Sequence, residues 1–223
     1  MGETFLVRGR WAEAEEALNR SAELHRAVGS AAGEALVQQR LAELTVYRGG
    51  RGAADHLRRG FELAHRSLLA AHLFGRLYAT DALAALERGE ADRAAATVEE
   101  ALEADRRFGS CASCSALLYP VAAEAYARLG LVEAARHYAQ VAADLAERWQ
   151  SQSWRAMADH ALGSAAWAAG DLPEAQRRLL AAAATFERIG QRFDAARCLR
   201  EAGLLAGSRD HLNQADAVFA TLG

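Results

Sequence analysis

The sequence predicts an all-α protein: a right-handed superhelical solenoid of antiparallel helix pairs, repeating about every 40 residues. Three observations carry this. Turn residues recur at Gly9, Gly49, Gly89, Gly130 and Gly170, with Asp210 as a degenerate sixth, at spacings of 40, 40, 41, 40 and 40. Five residues after each comes alanine: Ala14, Ala54, Ala94, Ala135, Ala175 and Ala215. Seven residues before each lies a small residue: Gly2, Ala42, Ala82, Ala123, Gly163 and Gly203. Two all-small columns on one period are the signature of helices whose axes approach closely. Residues 1–223 are therefore expected to form one repeat domain.

Each element follows from local chemistry. The turn glycine supplies the positive φ that ends the first helix of a unit, helix A. In Gly170-Asp171-Leu172-Pro173-Glu174, Asp171 caps the next helix, Pro173 fits its first turn and Glu174 suits its dipole. Within helix B the apolar residues fall three to four apart, as in Ala175, Leu179, Ala182, Ala183 and Phe186, never in strict alternation. A second set of breaks falls between units at Gly29, Gly109 and Gly190. The Gly49-Gly50-Arg51-Gly52 turn makes the second unit the loosest. The ends read as cut through the repeat, which suggests a piece of a longer solenoid, or terminal repeats covered by a partner or a second copy in a homodimer.

Composition narrows the function classes. Hydrophobic residues make up 52% and charged residues 25%, enough for a packed core. All 26 basic residues are arginine. The absence of lysine removes a Walker-A phosphate loop, a Schiff-base lysine and the kinase lysine. The net charge of -3 gives no basic face for nucleic acid. No apolar run is long enough to span a membrane, and no leader pattern opens the chain. With three cysteines and no disulfide framework, a cytoplasmic protein is expected. No H-E-x-x-H, G-x-S-x-G or G-x-G-x-x-G occurs, so no enzyme and no cofactor is expected.

The small–glycine–alanine spacing, in stretches such as Ala125-Tyr126-Ala127-Arg128-Leu129-Gly130-Leu131-Val132-Glu133-Ala134-Ala135, resembles the tetratricopeptide repeat over essentially the whole chain. The period is longer than that family's usual 34. With Phe186-Glu187-Arg188-Ile189-Gly190 and Phe219-Ala220-Thr221-Leu222-Gly223, it is similar to the helical sensor region of the large ATP-dependent LuxR-type activators related to the maltose regulator. The resemblance implies an interaction or sensing role. The ATPase and DNA-reading parts of that family have no counterpart in these residues.

Such arrays bind partners on the concave face lined by helix A. Register places Arg76, Leu117, Met157 and Arg197 in one row of that face, and Pro120, His160 and Arg200 in the next. Glu124 and Trp167 follow toward the turn. Leu117, Pro120, Met157, His160 and Trp167 would form an apolar strip, with Arg76, Arg197 and Arg200 as forks for a carboxylate and Glu124 as the opposite charge; the alternative is ordinary packing, with part of the row buried by neighbouring helices and the arginines simply solvated. Pro120, read as interior to helix A, is expected to bend it. The groove would hold a peptide or protein segment. The alternative is a small effector, in a pocket around Met157, His160 and Trp167, in a regulator's sensor domain. Cys111-Ala-Ser-Cys114, read at a helix start, is a weak thiol or metal site with His72 as a third ligand by register; no metal is expected there. Cys198 reads as a small core residue and Asp81 as a charge at a nominal core position.

Overall fold

The computed structural model describes Met1–Leu222, and among these residues the regular structure is entirely helical. In chain order the helices are α1 (Gly2–Val7), α2 (Trp11–Ala27), α3 (Ala31–Tyr47), α4 (Ala53–His65), α5 (Ala70–Glu87) and α6 (Ala91–Phe108). After a single 3-10 turn at Ser115–Leu117 come α7 (Leu118–Arg128), α8 (Val132–Trp149), α9 (Gln152–Ala168), α10 (Leu172–Arg188), α11 (Arg192–Ala206) and α12 (Arg209–Leu222).

The turn glycines act as their spacing requires. Gly9, Gly49, Gly89, Gly130 and Gly170 have φ between 68° and 79°. The residue after the glycine donates its N–H five residues back, as in Glu90 to Ala85 O at 2.9 Å, Leu131 to Tyr126 O at 2.9 Å and Asp171 to Ala166 O at 3.0 Å. These bonds satisfy carbonyls that a bare helix end would leave open. The second breaks are also left-handed, at Gly29, Gly109 and Gly190. Gln150 fills the missing place with φ 50°, its amide donating to the Glu147 carbonyl at 2.7 Å. Asp171 caps α10 by accepting the Glu174 N–H at 3.2 Å.

Three details depart from the expected register. The turn after α11 is made by Gly207 at φ 61°, and Asp210 lies in the first turn of α12. Ala54 is exposed while Ala53 is buried: the glycine-rich turn delays the start of α4 to four residues after Gly49, against two after the other turn glycines, and the buried face moves by one position. Pro120 sits in the first turn of α7, where its missing N–H has no intrahelical partner to lose, so it starts the helix and does not bend it.

The chain divides into two compact units: Met1–Leu6 with Arg10–Leu118, and Val7–Gly9 with Tyr119 onward. In unit 1, α2 to α6 each pack on the next, and α3 also meets α5. Leu18, Ala22, Val37 and Leu41 join α2 to α3. Phe74 on α5 lies 4.8 Å from Phe108 and 6.2 Å from Phe61, ring to ring. In unit 2, α8 to α12 pack in succession, and Tyr138 of α8 stacks 5.4 Å from Tyr126 of α7. Phe186, with Ala156, Ala182, Ala183, Ala195 and Cys198, forms a core cluster. Burying a side chain of that size is worth about 2–3 kcal/mol.

The two small columns face each other. A methyl group on Gly163 would lie 3.1 Å from Leu179 Cγ and 3.3 Å from the carbonyl oxygen of Ala175. Glycine at this position lets α9 approach α10 to that distance. Cys198 is buried, as its register indicated.

Candidate functional site

The row expected to line a groove is largely inside the protein. In unit 1, Gln39 and Glu43 on α3 and Ala79 on α5, which hold the positions equivalent to His160 and Glu124, are buried, while Arg76 is half-buried. Gln39 donates through Nε2 to Thr80 Oγ1 at 2.7 Å, 41 residues further along. Glu43 accepts from Arg40 and from the Tyr47 hydroxyl at 3.0 Å. Asp81 pairs with Arg93 at 3.6 Å, and burial raises its pKa.

Unit 2 carries a stronger version of the same arrangement. Glu124 on α7, His160 on α9 and Arg197 on α11 are only 3%, 6% and 6% exposed. Arg197 Nη2 donates to both oxygens of Glu124, at 3.1 and 3.0 Å. The guanidinium thus spans from α11 past α9 to α7, so the inner side of these three helices is narrow enough for one side chain to cross. Arg128 adds a second donor to Glu124. His160 Nε2 donates to Glu201 Oε2 at 2.7 Å, and Glu201 Oε1 lies 4.0 Å from Arg197 Nη2.

Burial alone would push the His160 imidazole down, yet the Glu201 carboxylate, through charge and hydrogen bond, outweighs it and raises the pKa. Burial likewise pushes Glu201 up, and His160, Arg197 and Arg128 together draw it well below the ordinary carboxylate range. Glu124, His160 and Glu201 bring one ligand atom each within 4.8 Å of one another. Their two carboxylates are already answered by Arg197 and Arg128 at Glu124 and by the His160 ring at Glu201. The group is a closed ion network.

The other expected groove residues scatter. Met157 packs half-buried on the Phe186 cluster, Leu117 lies half-buried in the 3-10 turn, and Pro120 is buried. Arg200 is half-buried with its guanidinium 5.4 Å from the centre of the Phe219 ring. Trp167 is exposed. Of the residues expected around a small effector, Met157 packs on a core cluster, His160 is bonded to Glu201, and Trp167 faces solvent. Arg197 is likewise no solvated fork, because Glu124 holds it inside.

Sequence reasoning missed Glu201 and Arg128. The signal for Glu201 was present, since it stands 41 residues after His160, one repeat on. It named Trp167 but missed the further exposed apolar residues near the turns of unit 2. Trp167 and Leu204, each three residues before a left-handed glycine, are 45% and 67% exposed, and Leu131 and Leu172, just after two such glycines, are 50% and 47% exposed.

A second cluster lies in unit 1. Cys111 and Cys114 sit in a turn that precedes the 3-10 segment, not on a helix start, and the Cys111 carbonyl accepts N–H bonds from Cys114 and Ser115, both at 2.9 Å. His72 Nδ1, from the first turn of α5, lies 3.4 Å from Cys114 Sγ. Burial opposes ionisation at Cys111, yet hydrogen bonds from Cys114, Ser113 and His72 lower its pKa to about 7; burial and the facing Cys111 raise Cys114.

No family model matches the chain, and no curated protein matches it. Among solved structures, the crystal structure of BtubC (BKLC) from P. vanneervenii is similar, with a TM-score of 0.54 at 18% identity over 95% of this chain and 92% of that chain. At that identity the likeness concerns the fold alone. No described helix is long and apolar enough to cross a membrane.

Proposed function

We propose that this chain is a right-handed tetratricopeptide-like solenoid with a period near 40 residues, serving as a non-catalytic module that binds a protein segment. The partner surface is the turn edge of unit 2, and the inner row of that unit is structural. The observation that carries this is the exposed set Leu131, Trp167, Leu172 and Leu204, repeated at like positions on successive turns. Clustered large apolar side chains in water mark interaction sites, and tryptophan is the commonest anchor in them.

The test places a photo-crosslinking side chain at 167 and, as a control, at exposed Val28 in unit 1. A protein captured from the producing cells at 167 and not at 28 is then purified, and its affinity for Trp167→Glu/Leu204→Glu is measured. Each anchor contributes about 1.5–3 kcal/mol when buried, so the double variant should bind more than about 100-fold more weakly with its melting temperature nearly unchanged. Equal binding by that variant, or capture at both positions alike, would remove this surface from the account.

A further inference from the structure

We infer that His72, Cys111 and Cys114 form a binding site for one thiophilic d10 metal ion, Zn2+ or Cu+, with an open coordination position toward solvent. The three ligand atoms, His72 Nδ1 and the two Sγ atoms, lie within 4.8 Å of one another. In a tetrahedral site, metal–sulfur bonds of about 2.3 Å and metal–nitrogen bonds of about 2.0 Å put ligand atoms about 3.6–3.8 Å apart. The observed 3.4 Å between His72 Nδ1 and Cys114 Sγ is already close to such an edge. The remaining pairs need to close by no more than about 1 Å, well within a side-chain rotation.

The scaffold that holds the ligands is specific. Gly75 sits one turn from His72 on α5, and a methyl group there would lie 2.6 Å from Ser115 Oγ and 3.2 Å from Ser115 Cα. Absence of that side chain lets the residue after Cys114 seat directly on the helix that carries His72. Ser115 is fully buried at this contact. The Cys111 turn, closed by its two backbone hydrogen bonds, then points both thiols to the same place. Cys111 and Cys114 are half-exposed and His72 is exposed, so an ion has access and a water or external ligand can complete the shell. Two thiolates and one imidazole select soft ions over Mg2+ or Ca2+. Binding displaces the thiol protons: each Cys S–H bond gives way to a Cys S–metal bond, with the protons released to solvent and no change in oxidation state. Arg76, one turn along α5 from His72, interacts with Cys114 and adds a positive charge beside it. With two thiolates, Arg76 brings a site holding Cu+ to neutrality and leaves one holding Zn2+ at a single positive charge.

The experiment titrates the full chain, kept reduced by a non-thiol reductant, with Zn2+ and separately with Cu+ against a chromophoric chelator. One equivalent is expected to bind, and the tighter of the two arms identifies the ion. Cys111→Ser, Cys114→Ser and His72→Ala should each weaken binding more than about 100-fold, beyond the 10–100-fold that loss of an outer-shell partner costs. Cys198→Ser, at the buried third cysteine, should bind as the parent does. Co2+ substitution should give thiolate-to-metal absorption that the Cys111→Ser and Cys114→Ser variants lose, and far-UV circular dichroism should show all variants folded. Absence of a stoichiometric ion in both arms, binding that survives His72→Ala, or thiols that form a disulfide without ever taking metal would overturn the assignment.

Discussion

Replacing Arg197 with alanine removes the guanidinium that bridges Glu124 and approaches Glu201, and it leaves Glu124 with Arg128 alone and Glu201 with His160 alone in a closed interior. Breaking a buried ion pair by removing one partner costs about 3–5 kcal/mol where the remaining charge keeps no counterion, and Arg128 and His160 hold the cost here to the lower end, about 3 kcal/mol. For a chain of this length each kcal/mol moves the melting temperature by about 2–4 °C, so Arg197→Ala should lower it by about 6–12 °C. Urea unfolding followed by circular dichroism at pH 7 should show an earlier midpoint with an unchanged slope. Glu124→Gln/Arg197→Met removes both charges and should cost clearly less than Arg197→Ala alone, which a double-mutant cycle reports as coupling. Arg200→Ala, three residues along the same helix at the Phe219 ring, should cost less than half as much. An Arg197→Ala protein within 1 kcal/mol of the parent would refute the closed network and restore the open groove.

Two more predictions concern the same buried polar chemistry. His160 has its pKa raised above the ordinary 6.5, so its contribution to stability is complete below that value and is lost as pH rises through the raised one. Glu201 is lowered from the ordinary 4.5, so its contribution is present above that value and is lost as pH falls through the lowered one. The urea midpoint should therefore show a plateau between about pH 4.5 and 6.5, and His160→Gln should remove the decline on the alkaline side. In unit 1, Thr80→Val deprives the buried Gln39 amide of its 2.7 Å acceptor and should destabilise by about 1–3 kcal/mol, measured by the same unfolding assay.

The helical architecture was legible because its determinants are local. A left-handed turn needs glycine, and close helix packing needs small side chains, so Gly130, Gly163 and Ala175 announce themselves by type and spacing. Where the determinant is less restrictive the reading slips. Gln150 adopts the left-handed conformation without being glycine, using its own amide to hold the helix end. Ala53 takes the place of Ala54 because a four-residue glycine-rich turn does not fix where the next helix begins. The site shows a different gap. Register gives the direction in which Glu124, His160 and Arg197 point from their helices, but not how far the opposite wall is. In unit 2 that distance is short enough for Arg197 to cross it, so a row with groove character by pattern becomes an ion network. Glu201 was lost for the same reason, since nothing local separates it from a solvated glutamate. The His72–Cys114 approach was foreseeable from the repeat, because one unit separates them.

The most direct test of a sealed inner row is an NMR titration of the His160 imidazole in the folded protein. The ring should titrate above 6.5, and its titration should shift downward in a Glu201→Gln variant that keeps the fold. A His160 that titrates at or below 6.5 and ignores Glu201→Gln would contradict the network, and with it the argument that partners bind at the turn edge and not within.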